Sequence, residues 1–254
     1  MCIRDRIATE CANLGVWQGV FGVQLGVALV ALFCLWLLLP KRLSEGYEAA
    51  GSEREPEPSG APLRAVLARP SVLPSLVSVA LYSGAFAACT QFLGTWLDSV
   101  GVIDKAQQSG LWIGLGVVSA LGAGLLTRYA DLWGKRAFVI LTSAIVGVGF
   151  LLLSLLPPAA PLLLVVGIPM AACTAARSGA MTSLVSGLVP AERRGSVMTL
   201  RTVAVNLGMG LMVWIGGGIV GEGAVEFRLL AGVAAGAVLV SLLLVVRSVK
   251  EAYA

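Results

Sequence analysis

Ala137-Phe-Val-Ile-Leu-Thr-Ser-Ala-Ile-Val-Gly-Val-Gly-Phe-Leu-Leu-Leu-Ser-Leu-Leu-Pro157 runs through twenty-one residues without a charged side chain. A hydrocarbon core about 30 Å thick is crossed by roughly 20 apolar residues in a helix. Lipid supplies no partners for free peptide groups, so only helices and closed barrels span it. The run does not alternate as a half-buried strand does, and continuity selects the helix. Working outward, the same reading places further spans at 15–39, 72–97, 110–129, 161–188, 198–220 and 229–247. The chain therefore reads as an all-α polytopic membrane protein with about seven transmembrane helices.

Composition agrees. Of 254 residues, 57% are hydrophobic and 13% charged, against about 25% charged in soluble domains. The net charge of +4 is not a nucleic-acid signal, because the basic residues sit at span ends. Cys2, Cys11, Cys34, Cys89 and Cys173 form no C-x-x-C pair and read as small packing residues. The absence of histidine removes the commonest metal ligand and the usual neutral-pH proton carrier. No cofactor or metal site is expected.

The polar stretches divide the chain. Residues 1–9 open Met1-Cys-Ile-Arg-Asp-Arg6 and read as a non-native or truncated start, ahead of a first helix within 10–39. That first apolar run is too long for a signal peptide. Residues 40–70 hold Glu45, Glu48, Glu53, Glu55 and Glu57 among Ser, Gly and Pro, a linker composition. Pro62, with Leu63, Val66 and Leu67 on one face, predicts a short surface helix before Pro70. Residues 71–254 form the remaining six-helix bundle.

Loop charges alternate. Lys41, Arg42, Arg54, Arg64 and Arg69 fall in 40–70; Arg128, Lys135 and Arg136 in the third loop; Arg193, Arg194 and Arg201 in the fifth; Arg247 and Lys250 in the tail. The intervening loops hold only Lys105 and Arg228. The positive-inside rule places the basic set, with the C-terminus, in the cytoplasm. Small residues step along helix faces at Gly15, Gly19, Gly22 and Gly26; at Gly116, Ala120, Ala123 and Thr127; and at Gly217/Gly221 and Gly232/Gly236. Such stripes predict close helix packing. Trp17, Trp96, Trp112 and Trp133 fall near span ends and read as interfacial belt residues.

Gly124-Leu-Leu-Thr-Arg-Tyr-Ala-Asp-Leu-Trp-Gly-Lys-Arg136 resembles the cytoplasmic motif of major facilitator superfamily transporters, G-x-L-A-D-R-x-G-R-R, in its degenerate second copy. Ala130, Asp131, Gly134, Lys135 and Arg136 match, while Thr127 and Leu132 depart from it. Leu188-Val-Pro-Ala-Glu-Arg-Arg-Gly195-Ser, followed by Asn206-Leu-Gly208, is similar to the loop between the tenth and eleventh helices of drug/proton-antiporter-like members. Gly15-Val-Trp17-Gln-Gly-Val-Phe21, running to Leu39-Pro40, is similar to their sixth helix.

In this register the first span corresponds to helix six, 40–70 to the central loop and 71–254 to helices seven to twelve. The resemblance implies a C-terminal fragment whose partner is the missing N-terminal half, in a bacterial cytoplasmic membrane. It also implies a gating role for Asp131, Gly134, Lys135 and Arg136. The carboxylate is expected to cap a nearby electropositive helix start, and the basic pair to hold lipid phosphates or carbonyls.

Arg177 is the one charge placed deep in a span, where arginine costs about 2.5–3.5 kcal/mol on insertion scales. No Asp or Glu lies deep in any span to pair with it. Met170, Thr174, Arg177 and Met181 share a face, with Ser178 beside it; Gly84, Ala88, Gln91, Thr95 and Asp98 form a stripe near Tyr82. The resemblance makes both spans cavity-lining. The substrate-cavity candidates are thus Arg177, Thr174, Ser178, Met181, Tyr82 and Gln91, facing a small solute of anionic or amphiphilic character.

The leading expectation is a permease- or efflux-type secondary transporter working by alternating access. The alternative is a seven-span receptor or sensor. An intramembrane enzyme lacks support, because the spans show neither a carboxylate pair nor a metal constellation.

Overall fold

The computed structural model describes residues 29, 33, 70–101, 103–157, 159–190, 193–220 and 224–249. The chain divides into two compact units at Ser59/Gly60. The first contributes only Leu29 and Phe33, both in helical backbone. The expected span at 15–39, with Trp17 and its glycine stripe, and the surface helix before Pro70 lie outside the described residues.

The second unit consists of six helices: α1 Val72–Val100, α2 Lys105–Trp133, α3 Lys135–Leu155, α4 Ala160–Ser186, α5 Arg194–Ile219 and α6 Ala224–Ser248. No strand occurs among the described residues. All six are long and apolar enough to cross a membrane. Their ends follow local chemistry. Gly101, at φ 65°, closes α1 by donating its N–H to Leu97 O at 3.0 Å. Asp104 caps α2 through the Gln107 N–H at 2.7 Å, and the Gln107 side chain returns the bond at 3.1 Å. A single residue, Gly134 at φ 87°, joins α2 to α3, a backbone conformation that favours glycine. Pro169 lies inside α4 and leaves the Val165 carbonyl without its helical bond.

The packing repeats. α1 lies along α5 and α6, α4 lies along α2 and α3, and α3 packs on α6. Exchanging α1–α3 for α4–α6 leaves this scheme unchanged, as expected of two three-helix repeats. α2 and α5 bury the least surface. They expose apolar rows at Ile113, Val117, Leu121 and Leu125 and at Leu207, Leu211 and Trp214.

Glycine sets the tightest crossings, though not where sequence spacing put it. A Cβ at Gly84 or Gly208 would strike the backbone of the other helix, so α1 and α5 meet backbone to backbone. Gly122 lies as close to α4, where a Cβ would sit 2.6 Å from Ala172 Cα. Gly116, Ala120 and Ala123, the stripe expected to pack, are exposed. Periodicity alone could not choose between two small-residue faces of α2. Trp96 corrects another expectation. It is buried and stacked on Phe227 with ring centroids 4.6 Å apart, so it is a core residue, whereas Trp112 and Trp133 are exposed.

The core falls into two apolar clusters. One, towards one end, holds Leu97, Phe150, Leu163 and Leu230; the other holds Val72, Phe138, Val185 and Val249. Cys89 and Cys173 are free thiols buried in the first. Where the clusters meet, the helices carry Ser78, Thr142, Ser143, Thr174, Arg177 and Ser241, with Tyr82 at the edge of the first cluster. A polar layer thus crosses the bundle on α1, α3, α4 and α6.

Candidate functional site: a guanidinium in a layer of hydroxyls

Arg177 projects from α4 into this layer with 3% of its surface exposed. Its Nε donates to Ser143 Oγ on α3 at 2.7 Å, and its Nη2 to Ser241 Oγ on α6 at 3.4 Å. The guanidinium carbon lies 3.6 Å from the centroid of the Tyr82 ring on α1, a cation–π stack. Tyr82 Oη and Thr174 Oγ1 share a hydrogen bond at 3.0 Å. One cation therefore ties together four helices, and α1 meets α4 through the stack and the hydroxyl pair.

The serine protons are engaged elsewhere. Ser143 Oγ donates to Val139 O at 2.6 Å, and Ser241 Oγ to Ser78 O at 2.9 Å. Ser78 Oγ in turn donates to Ser241 O at 3.1 Å. Arg177 uses only the lone pairs of these hydroxyls. A guanidinium has five N–H donors, and the structure gives two of them partners within the described residues. Its one aromatic and two hydroxyl contacts are all neutral, and among the described residues no carboxylate compensates the charge.

A second arginine lies within the helices. Counted with the loop charges from sequence, Arg201 instead lies on the second turn of α5. Its Nε is buried and has no hydrogen-bond partner among the described residues. Arg177 is thus not the only cation within the spans. The sequence signal was available: seven residues into a helix that starts at Arg194, position 201 is already about 10 Å along it.

On the other side of the Tyr82–Thr174 bridge lies an apolar cavity of about 270 Å³. Phe86, Trp112, Phe150, Met170 and Phe227 line it, with Thr90 and Ser119 the hydroxyl-bearing residues. Both hydroxyls donate to main-chain carbonyls, Thr90 to Phe86 O at 2.8 Å and Ser119 to Ala171 O at 3.3 Å. Phe86 is four residues beyond Tyr82 and Met170 four before Thr174, so the cavity begins one helical turn from the bridge.

The structure brings Arg177, Tyr82 and Thr174 together and separates the other candidates. Met181 is buried at 1% exposure in the second core cluster, so it packs the bundle rather than lining a cavity. Gln91 is exposed nine residues further along α1, and Ser178 is exposed on α4. At the α2–α3 junction Asp131 is exposed, and no side chain caps the start of α3. The expected carboxylate cap is not formed there. Arg136 instead donates to Val246 O in the last turn of α6. At the other end Arg228 donates from Nε to Ser154 O at 2.8 Å and from Nη2 to Leu155 O at 2.7 Å, in the last turn of α3. These contacts show that the α2–α3 junction shares an end with the close of α6, and that the start of α6 shares the opposite end with the close of α3.

Six apolar membrane-length helices in two packed triplets, with a polar layer at their centre, define a helical membrane transporter bundle. The family model described as Major Facilitator Superfamily matches twice, over residues 7–159 and 103–254. The chain belongs to that superfamily, whose members are membrane transporters and not enzymes. No curated protein and no solved structure matches it.

Proposed function

We propose that this chain supplies one wall of the solute pathway of a secondary transporter working by alternating access, with Arg177, Tyr82 and Thr174 as its polar contact. The observation that carries this reading is a buried guanidinium held only by neutral groups. Removing it orphans no serine donor, so the bundle does not need it for hydrogen-bond satisfaction. An arginine that is expensive in lipid and dispensable to its neighbours is best explained by a role in function. In the register of the family resemblance, α1 and α4 are the cavity-lining seventh and tenth helices, and the opposite wall comes from a further six-helix half.

The drug/proton-antiporter-like motifs favour efflux from a bacterial cytoplasmic membrane with the C-terminus inside. Asp131, Gly134, Lys135 and Arg136 then form the gating junction, and Asp131 reaches the opposite half when that face closes. The test is transport in the assembled carrier. Arg177→Ala is expected to abolish solute flux while the protein stays in the membrane, and Arg177→Lys to retain part of it, since lysine keeps the charge but loses the planar fork. Asp131→Asn is expected to slow flux without loss of protein. Flux equal to wild type in Arg177→Ala would return the residue to a packing role. Two-walled binding also predicts that the 254-residue chain, reconstituted alone, carries no solute.

A further inference from the structure

We infer that the cavity beyond the Tyr82–Thr174 bridge is a binding site for an uncharged aromatic group of one or two fused rings. This deepens the reading just given by naming the apolar part of the solute, and rests on it only for the ligand's being cargo.

The lining selects the chemistry. Phe86, Trp112, Phe150 and Phe227 come from α1, α2, α3 and α6, and Met170 from α4, so five helices each bring a ring or a thioether to one space. Among the described residues no charged side chain lines it, and Thr90 and Ser119 donate their protons to main-chain carbonyls. An ion entering it would lose its hydration without replacement, so the ligand is uncharged. Aromatic rings attract a further ring edge-to-face or offset-stacked, and thioether sulfur favours a ring edge. A saturated chain gains neither contact.

Size and rigidity agree. The volume, about 270 Å³, is nearly twice the roughly 150 Å³ of an apolar cavity that stays dry and holds benzene. The walls are fixed by contacts outside the lining. Met170 is seated at Gly149 of α3, where a Cβ would collide with its sulfur. Phe227 is stacked on Trp96 with ring centroids 4.6 Å apart. Gly116 and Gly167, both in the lining, put no side chain into the space. Protein interiors ordinarily close voids of this size, whereas small-molecule sites are preformed and mostly apolar.

The experiment uses the full chain in nanodiscs of zwitterionic lipid, photolabelled with 1-azidonaphthalene, with labelled residues located by mass spectrometry. Five of the six helices wall the cavity, so the rings are in place without a further half. Saturable labelling is expected at the cavity residues of α1 and α4. Naphthalene should compete at about a tenth of the membrane mole fraction that its saturated counterpart decalin needs. Exposed Leu207, Leu211 and Trp214 of α5 report the unsaturable lipid-facing background in the same molecule. Gly116→Leu places its side chain in open space at the lining and should remove the cavity labelling; Gly124→Leu, equally open but outside the lining, should keep it. Labelling confined to the lipid-facing rows would overturn the site. Decalin competing as well as naphthalene would overturn the aromatic assignment, because a void open to lipid tails has no preference for rings. Cavity labelling together with wild-type flux in the Arg177→Ala carrier would leave this site standing and remove the Arg177 reading. Absent cavity labelling with an inactive Arg177→Ala carrier would do the reverse.

Discussion

Arg228, in the first turns of α6, donates from two nitrogens to the Ser154 and Leu155 carbonyls that close α3. Arg136, in the first turn of α3, repeats the arrangement at the other end by donating to Val246 O of α6. The two antiparallel helices hold each other's C-termini. Terminal carbonyls lack intrahelical partners, and a cation beside them meets the negative end of the helix dipole. In α3 the first turn, Lys135-Arg136, is basic and unfavourable for its own helix, and the end of the partner helix supplies the compensation.

Each clamp should therefore be measurable. Arg228→Ala is expected to destabilise the detergent-purified protein by about 1 kcal/mol, lowering its melting temperature by roughly 3 °C. Arg228→Lys should recover part of the loss, since it reaches one carbonyl with a point charge. An unchanged melting temperature in Arg228→Ala would show that the helix ends are held by packing alone.

The α1–α5 crossing allows a sharper test, because two opposing effects can be weighed. Glycine to alanine in a helix gains about 1 kcal/mol of propensity. At Gly208 the new methyl would strike the Ala80 carbonyl on α1, and backbone cannot move aside as a side chain does. Overpacking typically costs 1–3 kcal/mol, so the clash should win and Gly208→Ala should destabilise. Gly210, two residues on, has open space around it, and Gly210→Ala should be neutral or stabilising. Equal effects at the two positions, read from thermal melts, would contradict the backbone contact.

Most of the bundle was legible because uninterrupted apolar runs mark the lipid-embedded part of each helix directly. The same signal misplaces helix ends. Hydropathy stops at the membrane interface, whereas α2 begins at Lys105 and α5 at Arg194, in polar sequence that a helix tolerates once capped or hydrated. Arg201 was hidden for another reason: it falls inside the 198–220 run, three residues from its edge, where a basic residue reads as an interfacial anchor and counts with the loop charges. Arg177 was legible because a lone charge in an apolar run is rare. Its partners were not, since Ser143 and Ser241 are ordinary residues until folding brings α3 and α6 beside α4. Met181 shares a helical face with Arg177 in projection, but the faces packed by α3 and α6 are fixed by tertiary structure, and Met181 falls in the core. Arg228 looked like a stray charge on a sparse loop because its carbonyl partners lie more than seventy residues away.

Sidedness follows from pairing two exposed positions at opposite ends. In a background without reactive thiols, Asp131→Cys and Ser99→Cys place single cysteines near the α2–α3 junction and the end of α1, and both positions are exposed. The charge alternation predicts that, in intact cells, an impermeant thiol reagent labels Ser99→Cys readily and Asp131→Cys only after the membrane is opened. The reverse pattern would invert the proposed orientation.

Arg177→Met separates function from stability most cleanly. Methionine approximates the length of the arginine stem and carries no charge. The substitution removes a buried cation that lacks a carboxylate, and replacing buried charge by apolar volume is often neutral or stabilising by 1–4 kcal/mol. The usual objection, that neighbours lose their partners, does not apply strongly here: Ser143 and Ser241 keep their bonds to Val139 O and Ser78 O, and Tyr82 keeps its bond with Thr174. What is lost is the stack on Tyr82, about 2 kcal/mol at a desolvated site, against the insertion penalty of about 2.5–3.5 kcal/mol. The balance predicts a melting temperature equal to or above wild type, together with loss of transport in the assembled carrier. Arg177→Ala, which also leaves a cavity, should melt lower and be equally inactive. A strongly destabilised Arg177→Met would mean that the guanidinium holds the four helices together, and that the polar layer is a structural staple rather than a solute contact.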